Sequence, residues 1–189
     1  MSIPCVILSG GKSSRMGRDK ALLPFPTEPL AVFMFKKMKE LFSCVYLSLK
    51  NPTPFLSCDV DFIQEKGEDF APMIGLRESF EQLKSEKIFF ISVDTPFVTE
   101  EVINTLLQES IVGVTYAKDS QKEHYLCGVY SKESYPILLE LIEKKDYKMS
   151  QLVNLLPHKS IEFDDAEIFS NLNTQEQYLK ALERLEQNG

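Results

Sequence analysis

Ile3-Pro4-Cys5-Val6-Ile7-Leu8-Ser9-Gly10-Gly11-Lys12-Ser13-Ser14-Arg15-Met16-Gly17-Arg18-Asp19-Lys20 decides how the rest of the chain is read. The apolar run from Ile3 to Leu8 predicts a buried first strand. Gly10, Gly11 and Gly17 then punctuate a loop carrying Lys12, Arg15, Arg18 and Lys20 against Asp19. That is four cations less one carboxylate, a net +3, in a chain whose formal charge is −7. Positive charge concentrated this way on an acidic chain is not the composition of a generic solvated turn. Glycine lets a ligand approach the backbone closely, and successive N–H groups with Lys and Arg cradle an anion. A strand, a cationic Gly-rich loop and a helix in that order predict a phosphate-binding segment.

Two common owners of such loops are excluded by register. A Walker A loop needs Gly six positions before the Lys of Gly-Lys-Ser, and Val6 stands there ahead of Lys12. The G-x-G-x-x-G dinucleotide fingerprint fails as well, because Gly10 and Gly11 are adjacent and Gly17 lies six further on.

The remaining composition narrows the function classes. A chain of 189 residues suits one α/β domain, here 1–189, and buries roughly 70% of its unfolded surface. Apolar content of 43% and charged content of 26% are those of a soluble globular protein. The acidic balance argues against a nucleic-acid binder and against docking on anionic membranes. Cys5, Cys44, Cys58 and Cys127 are irregularly spaced and there are only two histidines, which predicts reduced thiols rather than a zinc site or a disulfide framework. Without a cationic leader or a run of about eighteen apolar residues, the expectation is a cytoplasmic protein with no membrane span.

Apolar runs alternate with amphipathic stretches, the pattern of a mostly parallel α/β sheet. Strands are predicted at Cys44 to Leu49, Asp59 to Gln64, Lys87 to Val93, Ile111 to Ala117, Tyr125 to Tyr130 and Ile161 to Phe163. The fourth and fifth of these, joined by a polar turn at Asp119 to Glu123, read as a hairpin-like excursion. Helices are predicted at Leu30 to Leu41, Met73 to Leu83, from a Thr99 N-cap, Ser134 to Lys144, Tyr147 to Leu156 and Gln175 to Glu186. Thr174-Gln175-Glu176-Gln177 is a capping box for the last helix. Lys87-Ile-Phe-Phe-Ile-Ser-Val93 is apolar enough to be a central strand covered on both faces. Asp94 ends it, followed by Thr95-Pro96. Open α/β sheets place ligand chemistry at the carboxyl ends of such strands. A carboxylate there suits Mg²⁺ against a triphosphate, and a turn or helix-capping aspartate is the alternative reading.

The pattern L-x-G-G-x-S-x-R-M-G-x-D-K from Leu8 to Lys20 resembles the signature of nucleotidyltransferases with a Rossmann-like fold. It is most similar to the molybdenum cofactor guanylyltransferases of the MobA type. Val93-Asp94-Thr95-Pro96-Phe97 resembles the family's C-D-x-P-F/Y segment, with Val93 in place of Cys. Phe70-Ala71-Pro72-Met73-Ile74-Gly75 resembles its G-P-L-x-G motif, with Ala71 where relatives have Gly. His124 to Tyr130 resembles its H-P-x-x-G-L-[WY] strand, and Asn171-Leu172-Asn173-Thr174 its N-[VIL]-N-T element. If relatives hold the first Gly of G-P-L at positive φ, Ala71 carries a strain of about 1–2 kcal/mol.

The resemblance implies an α/β, Rossmann-like three-layer fold with a mostly parallel central sheet, of the nucleotide-diphospho-sugar transferase type. It implies that Leu8, Ser9, Gly10 and Gly11 hold the nucleoside, with Pro72 and Gly75 beside the guanine and ribose. Arg15, Lys20 and Asp94 become catalytic, the first two on the triphosphate and the third on Mg²⁺, with Asn173 as a second metal or phosphate ligand. Glu65 stands near a family Asp that contacts the nucleotide. Ser48 falls where relatives often have Asn, which puts that contact in doubt. His124 lines the groove for the second substrate, and Lys148 is either a pterin-phosphate contact or a solvated lysine. The implied reaction is transfer of GMP from GTP to the terminal phosphate of molybdopterin cofactor, releasing pyrophosphate. Molybdenum-insertion proteins and target molybdoenzymes are the implied partners. Two alternatives stay open at this point. One is a cytidylyl- or sugar-1-phosphate nucleotidyltransferase, whose L-A-A-G differs from Leu8-Ser9-Gly10-Gly11. The other is a non-catalytic nucleotide-binding or cofactor-delivery protein.

Overall fold

Strand β1 (Cys5–Leu8) is buried along its whole length, because it lies between two layers of helices rather than on one. The computed structural model describes residues 3–9 and 19–188 of the chain. Strands β1, β2 (Val45–Leu49), β3 (Phe62–Gln64) and β4 (Lys87–Ser92) run parallel, with β2 and β4 flanking β1. Strand β5 (Val114–Lys118), β6 (Glu123–Ser131) and β7 (His158–Glu162) complete a seven-stranded sheet of order β3-β2-β1-β4-β6-β5-β7.

Alternation along the strands assigns the two faces. Cys5, Ile7, Phe89 and Ile91 join one core, while Val6, Leu8, Ile88 and Phe90 join the other. Helices α1 (Leu30–Lys39), α3 (Glu100–Gln108) and α6 (Gln175–Asn188) cover the first face. Helices α2 (Pro72–Leu83), α4 (Tyr135–Glu143) and α5 (Met149–Asn154) cover the second. The expected three-layer, mostly parallel α/β architecture is therefore present.

The sequence-based boundaries hold to within a few residues, with two substantive differences. The β5–β6 pair is not an excursion. Strand β6 lies inside the sheet, antiparallel to β4 on one side and to β5 on the other. Strand β7 begins at His158, three residues ahead of the expected Ile161. It pairs with β5 from Val114↔His158 to Lys118↔Glu162. As an edge strand its first residues need no apolar pattern, so periodicity missed them. The Thr174 capping box forms as expected: Gln177 N–H donates to Thr174 Oγ1 at 3.2 Å, and Gln177 Oε1 accepts from Asn173 N at 2.9 Å and Thr174 N at 3.1 Å. Among the described residues no helix is long and apolar enough to cross a membrane.

The chain goes outward from β1 to β2 and β3 and then returns to the other side of β1 to form β4. That reversal opens a crevice at the carboxyl ends of β1 and β4, the switch point where doubly wound sheets bind ligands. Val93 N–H donates to Leu8 O at 2.9 Å, so the chain leaving β4 is fastened beside the end of β1. Asp94 follows directly.

Gly128 makes the β6 insertion possible. A Cβ there would stand 2.3 Å from Thr115 O and 2.9 Å from Tyr116 Cα, both backbone atoms at the register shift between β5 and β6. Gly128→Ala is expected to destabilise the fold by about 1–3 kcal/mol, read as a lower urea midpoint with an unchanged slope.

Candidate functional site

Two groups of side chains meet along the carboxyl edge of the sheet. The first is polar and centres on Lys20. Asp19 caps the short 3-10 turn Lys20–Leu22, its Oδ1 accepting from Ala21 N at 3.0 Å, and so fixes where the Lys20 side chain leaves the backbone. Lys20 Nζ donates to Asp94 Oδ2 at 2.9 Å and to Asn173 Oδ1 at 2.5 Å. Ser92 Oγ donates to the other Asp94 oxygen at 2.6 Å. Leu172 N–H donates to the Asp94 carbonyl at 3.0 Å, which ties the segment before α6 to the end of β4. The Lys20 and Asp94 side chains are 19% and 13% exposed, so both stay reachable from solvent.

The second group of side chains clusters at the carboxyl ends of β1, β2 and β3. Ser9 Oγ donates to Ser48 O at 2.6 Å, and Ser48 Oγ donates to Glu65 Oε1 at 2.8 Å. Glu65 is only 5% exposed, and its Oε2 is buried with no hydrogen-bond partner among the described residues. Burial pushes its carboxyl above the ordinary value, the Ser48 hydrogen bond and the nearby Lys50 charge opposing the rise. Gly75, in the first turns of α2, faces the same space. A Cβ there would lie 2.6 Å from Leu8 Cδ2, 2.8 Å from Ser48 Oγ and 3.1 Å from Glu65 Oε1. Glycine at 75 thus lets α2 pack closely on Leu8, Ser48 and Glu65, and a buried carboxylate with an unpaired oxygen is a candidate acceptor for hydrogen-bond donors.

A third feature opens beyond Asp94, over β4 and β6. A cavity of about 310 Å³ is lined by Asp94, His124, Tyr125, Leu126, Met149 and Asn171 among others. His124 Nε2 meets Asp119 Oδ2 at 2.7 Å, and its ring stacks on Phe169 with centroids 4.2 Å apart.

Of the residues singled out by sequence, Leu8, Ser9, Glu65 and Gly75 come together in the second group, and Lys20, Asp94 and Asn173 in the polar cluster. Pro72 opens α2 at its first position, one turn before Gly75. Gly10, Gly11 and Arg15 lie outside the described residues. Ala71 has φ −150° and ψ 148°, ordinary extended backbone, so the strain expected from an Ala at a Gly position does not arise. Lys148 is an exposed residue preceding α5. Ser48, which stands where the resemblance implies Asn, donates to Glu65 Oε1. Ser92 and Asp119 were not singled out, and nothing in their local sequence marks them.

Asp94 Oδ2 and Asn173 Oδ1 are the oxygens best placed to hold a divalent cation. They are hard donors that already converge on one positive charge, the Lys20 ammonium, which is the chemistry Mg²⁺ requires. Among the described residues no group of three or more His, Cys, Asp or Glu converges, so ligand oxygens and water would supply the remaining coordination.

Comparisons with known proteins agree with this arrangement. Residues 5–160 match the MobA-like NTP transferase domain. The chain is 35% identical over 191 residues to a molybdenum cofactor guanylyltransferase of Helicobacter pylori, covering 97% of this chain and 94% of the relative. It is 34% identical to one from Campylobacter jejuni, covering 96% of each. Among solved structures, molybdopterin-guanine dinucleotide biosynthesis protein A from Archaeoglobus fulgidus superposes with a TM-score of 0.84 at 17% identity, over 98% of this chain and 100% of that one. A switch-point crevice with a polar cluster on Lys20, Asp94 and Asn173 thus sits in a chain that aligns nearly end to end with these relatives, and the chain belongs to the MobA-like NTP transferase family.

Proposed function

We propose that this chain transfers GMP from GTP to the terminal phosphate of a molybdopterin-type molybdenum cofactor, as one nucleotidyltransferase unit spanning residues 1–189. The observation that carries the reading is the buried Glu65 Oε2, without a hydrogen-bond partner among the described residues, on the same carboxyl edge of the sheet as the Lys20–Asp94–Asn173 cluster. Guanine presents two neighbouring donors, N1–H and the 2-amino group, which a carboxylate accepts together. Cytosine presents an acceptor beside its single amino donor, and an acceptor facing Glu65 is repelled. The names of the relatives from Helicobacter and Campylobacter support the same choice of nucleotide and acceptor.

The chemistry asks for positioning and charge neutralisation. An oxygen of the acceptor phosphate attacks the α-phosphorus, the bond from that phosphorus to the bridging oxygen breaks, and pyrophosphate leaves with the electron pair. The attacking oxygen is already anionic near neutral pH, so no general base is needed. Leu8, Ser9 and Gly75 with Glu65 orient the nucleoside, and Gly10 and Gly11 are assigned to it by sequence alone. Lys20 moves from Asp94 and Asn173 onto the triphosphate, and Lys20 with Arg15 offsets the charge that grows on pyrophosphate. Asp94 with Asn173 would hold Mg²⁺, which would supply charge neutralisation at the phosphate oxygens. Ser92 holds the Asp94 carboxylate in place.

The direct test is incubation with labelled GTP, Mg²⁺ and purified molybdopterin cofactor. Formation of the guanine dinucleotide with release of pyrophosphate is the expected result. Product from CTP in place of GTP would move the chain to the cytidylyl branch, and nucleotide binding without pyrophosphate would make it a carrier. In the same assay Asp94→Ala is expected to abolish turnover with the fold retained, and Lys20→Ala to slow it about 10²–10³-fold. Gly75→Ala, which drives a methyl against Leu8, Ser48 and Glu65, is expected to weaken GTP binding about tenfold or more, read by calorimetry. Glu65 must be ionised to accept from guanine, and burial raises its pKa. GTP affinity is therefore full at neutral pH and declines as the pH falls, the loss beginning above the ordinary carboxyl value of 4.5. Glu65→Gln is expected to remove this part of the pH dependence.

A further inference from the structure

Three lysines near the end of α1 follow two different rules. Lys36 and Lys39 lie on its outer side and pair with the carboxylates of Glu28 and Asp61. Lys37 turns inward, and its Nζ donates to the carbonyl of Pro96 at 2.6 Å. Phe33, Met34 and Leu41, one turn away along the same face of the helix, all pack into the core, so nothing in the packing of α1 demands a charge there. Burying an ammonium costs free energy, and a neutral carbonyl recovers less of it than a carboxylate does. The penalty is visible in the acidity of the group. Burial pushes the Lys37 pKa down to about 8, the Glu40 carboxylate opposing the fall and the Arg184 guanidinium adding to it. At pH 7 the side chain is still an ammonium, and its bond to Pro96 is charge-assisted.

Pro96 stands two residues after Asp94, in the turn that leaves β4. Other contacts hold the rest of that turn. Thr95 N and Thr95 Oγ1 both donate to Ser92 O, at 3.3 and 2.9 Å. The Phe97 ring lies under the Arg184 guanidinium at 4.3 Å and edge-on to Phe25. Leu172 N–H donates to Asp94 O, as described above. Proline has no N–H, so its carbonyl is the main-chain group left by which Pro96 can be held, and Lys37 holds it.

We propose that Lys37 is a positioning residue for Asp94, fixing Pro96 so that the turn presents the Asp94 carboxylate to Lys20 and Asn173. The ammonium acts through the main chain, from the helix layer outside the crevice. The inference rests on the proposed guanylyl transfer and adds to it a residue on whose hydrogen bond the metal-binding side of the crevice depends.

Lys37→Met keeps the length of the side chain and removes the donor, while Lys37→Arg keeps a charged donor. For each variant the melting temperature is measured, together with kcat and KM for GTP in GMP transfer. Hydrogen exchange of the Leu172 amide is followed in the protein without nucleotide or metal, where it reports on the Leu172–Asp94 bond alone. Because removing a buried ammonium relieves its desolvation, Lys37→Met is expected to melt at the wild-type temperature or above. Its kcat is expected to fall about tenfold or more with KM for GTP little changed. Its Leu172 amide is expected to exchange about tenfold faster or more. Lys37→Arg is expected to restore both. Wild-type kcat or wild-type Leu172 exchange in Lys37→Met overturns the proposal, as does failure of Lys37→Arg to recover them. A lower melting temperature in Lys37→Met, or its failure to fold, makes the lysine a residue of the fold and overturns it too. Absence of GMP transfer by wild type removes the functional reading itself, and the tether is then judged by Leu172 exchange, which needs no substrate.

Discussion

The ammonium of Lys20 gathers a carboxylate 74 residues away and an amide 153 residues away around one charge. It joins the short turn at Lys20, the end of β4 and the segment before α6. Its contribution to stability is small by ordinary reckoning, because a half-solvated ion pair gains little over its hydration. Its consequence is positional. Asp94 is held at one oxygen by Lys20 and at the other by Ser92, while Leu172 fastens its carbonyl, so the carboxylate has one orientation before any ligand arrives. Preorganisation of this kind avoids reordering dipoles and charges as the reaction proceeds.

The price of function is more visible at Glu65. A carboxylate 5% exposed, with one oxygen unsatisfied, is unfavourable in a nucleotide-free protein, and nothing in the fold requires a charge there. The same unfavourable desolvation becomes useful once a ligand supplies donors, because hydrogen bonds to a desolvated carboxylate discriminate strongly against a base that presents an acceptor. Gly75 belongs to the same group: without a side chain it lets α2 pack directly on Leu8, Ser48 and Glu65.

Strand β6 divides the active edge into two territories. Running antiparallel between β4 and β5, it brings its own first residues to the carboxyl end of β4, so His124, Tyr125 and Leu126 wall a cavity next to Asp94. A parallel strand in that position would instead have brought its last residues there. The inverted strand thus sets the start of a hairpin arm against the carboxyl end of β4. The turn that precedes it carries Asp119, and Phe169 from the far end of the chain closes over the ring.

Much of this was legible in the sequence because it is short-range. The apolar run Ile3 to Leu8, the cationic loop after it, the doubly covered strand ending at Asp94 and the Thr174 capping box all follow from neighbours within a few residues. Local periodicity therefore located the strand ends at which a ligand binds, and loop composition indicated its charge. What tertiary structure alone decided are the pairings between distant elements. Ser48 reaches Glu65 only because β2 and β3 are adjacent, and Asp119 reaches His124 only because the turn folds back on β6. Strand β7 begins among polar residues because it is held by hydrogen bonds to β5 at an edge rather than by burial. Hydrogen bonds across a sheet and the side chains that meet at its rim depend on strand order, and strand order is set by how the two cores close, which no local window of sequence contains.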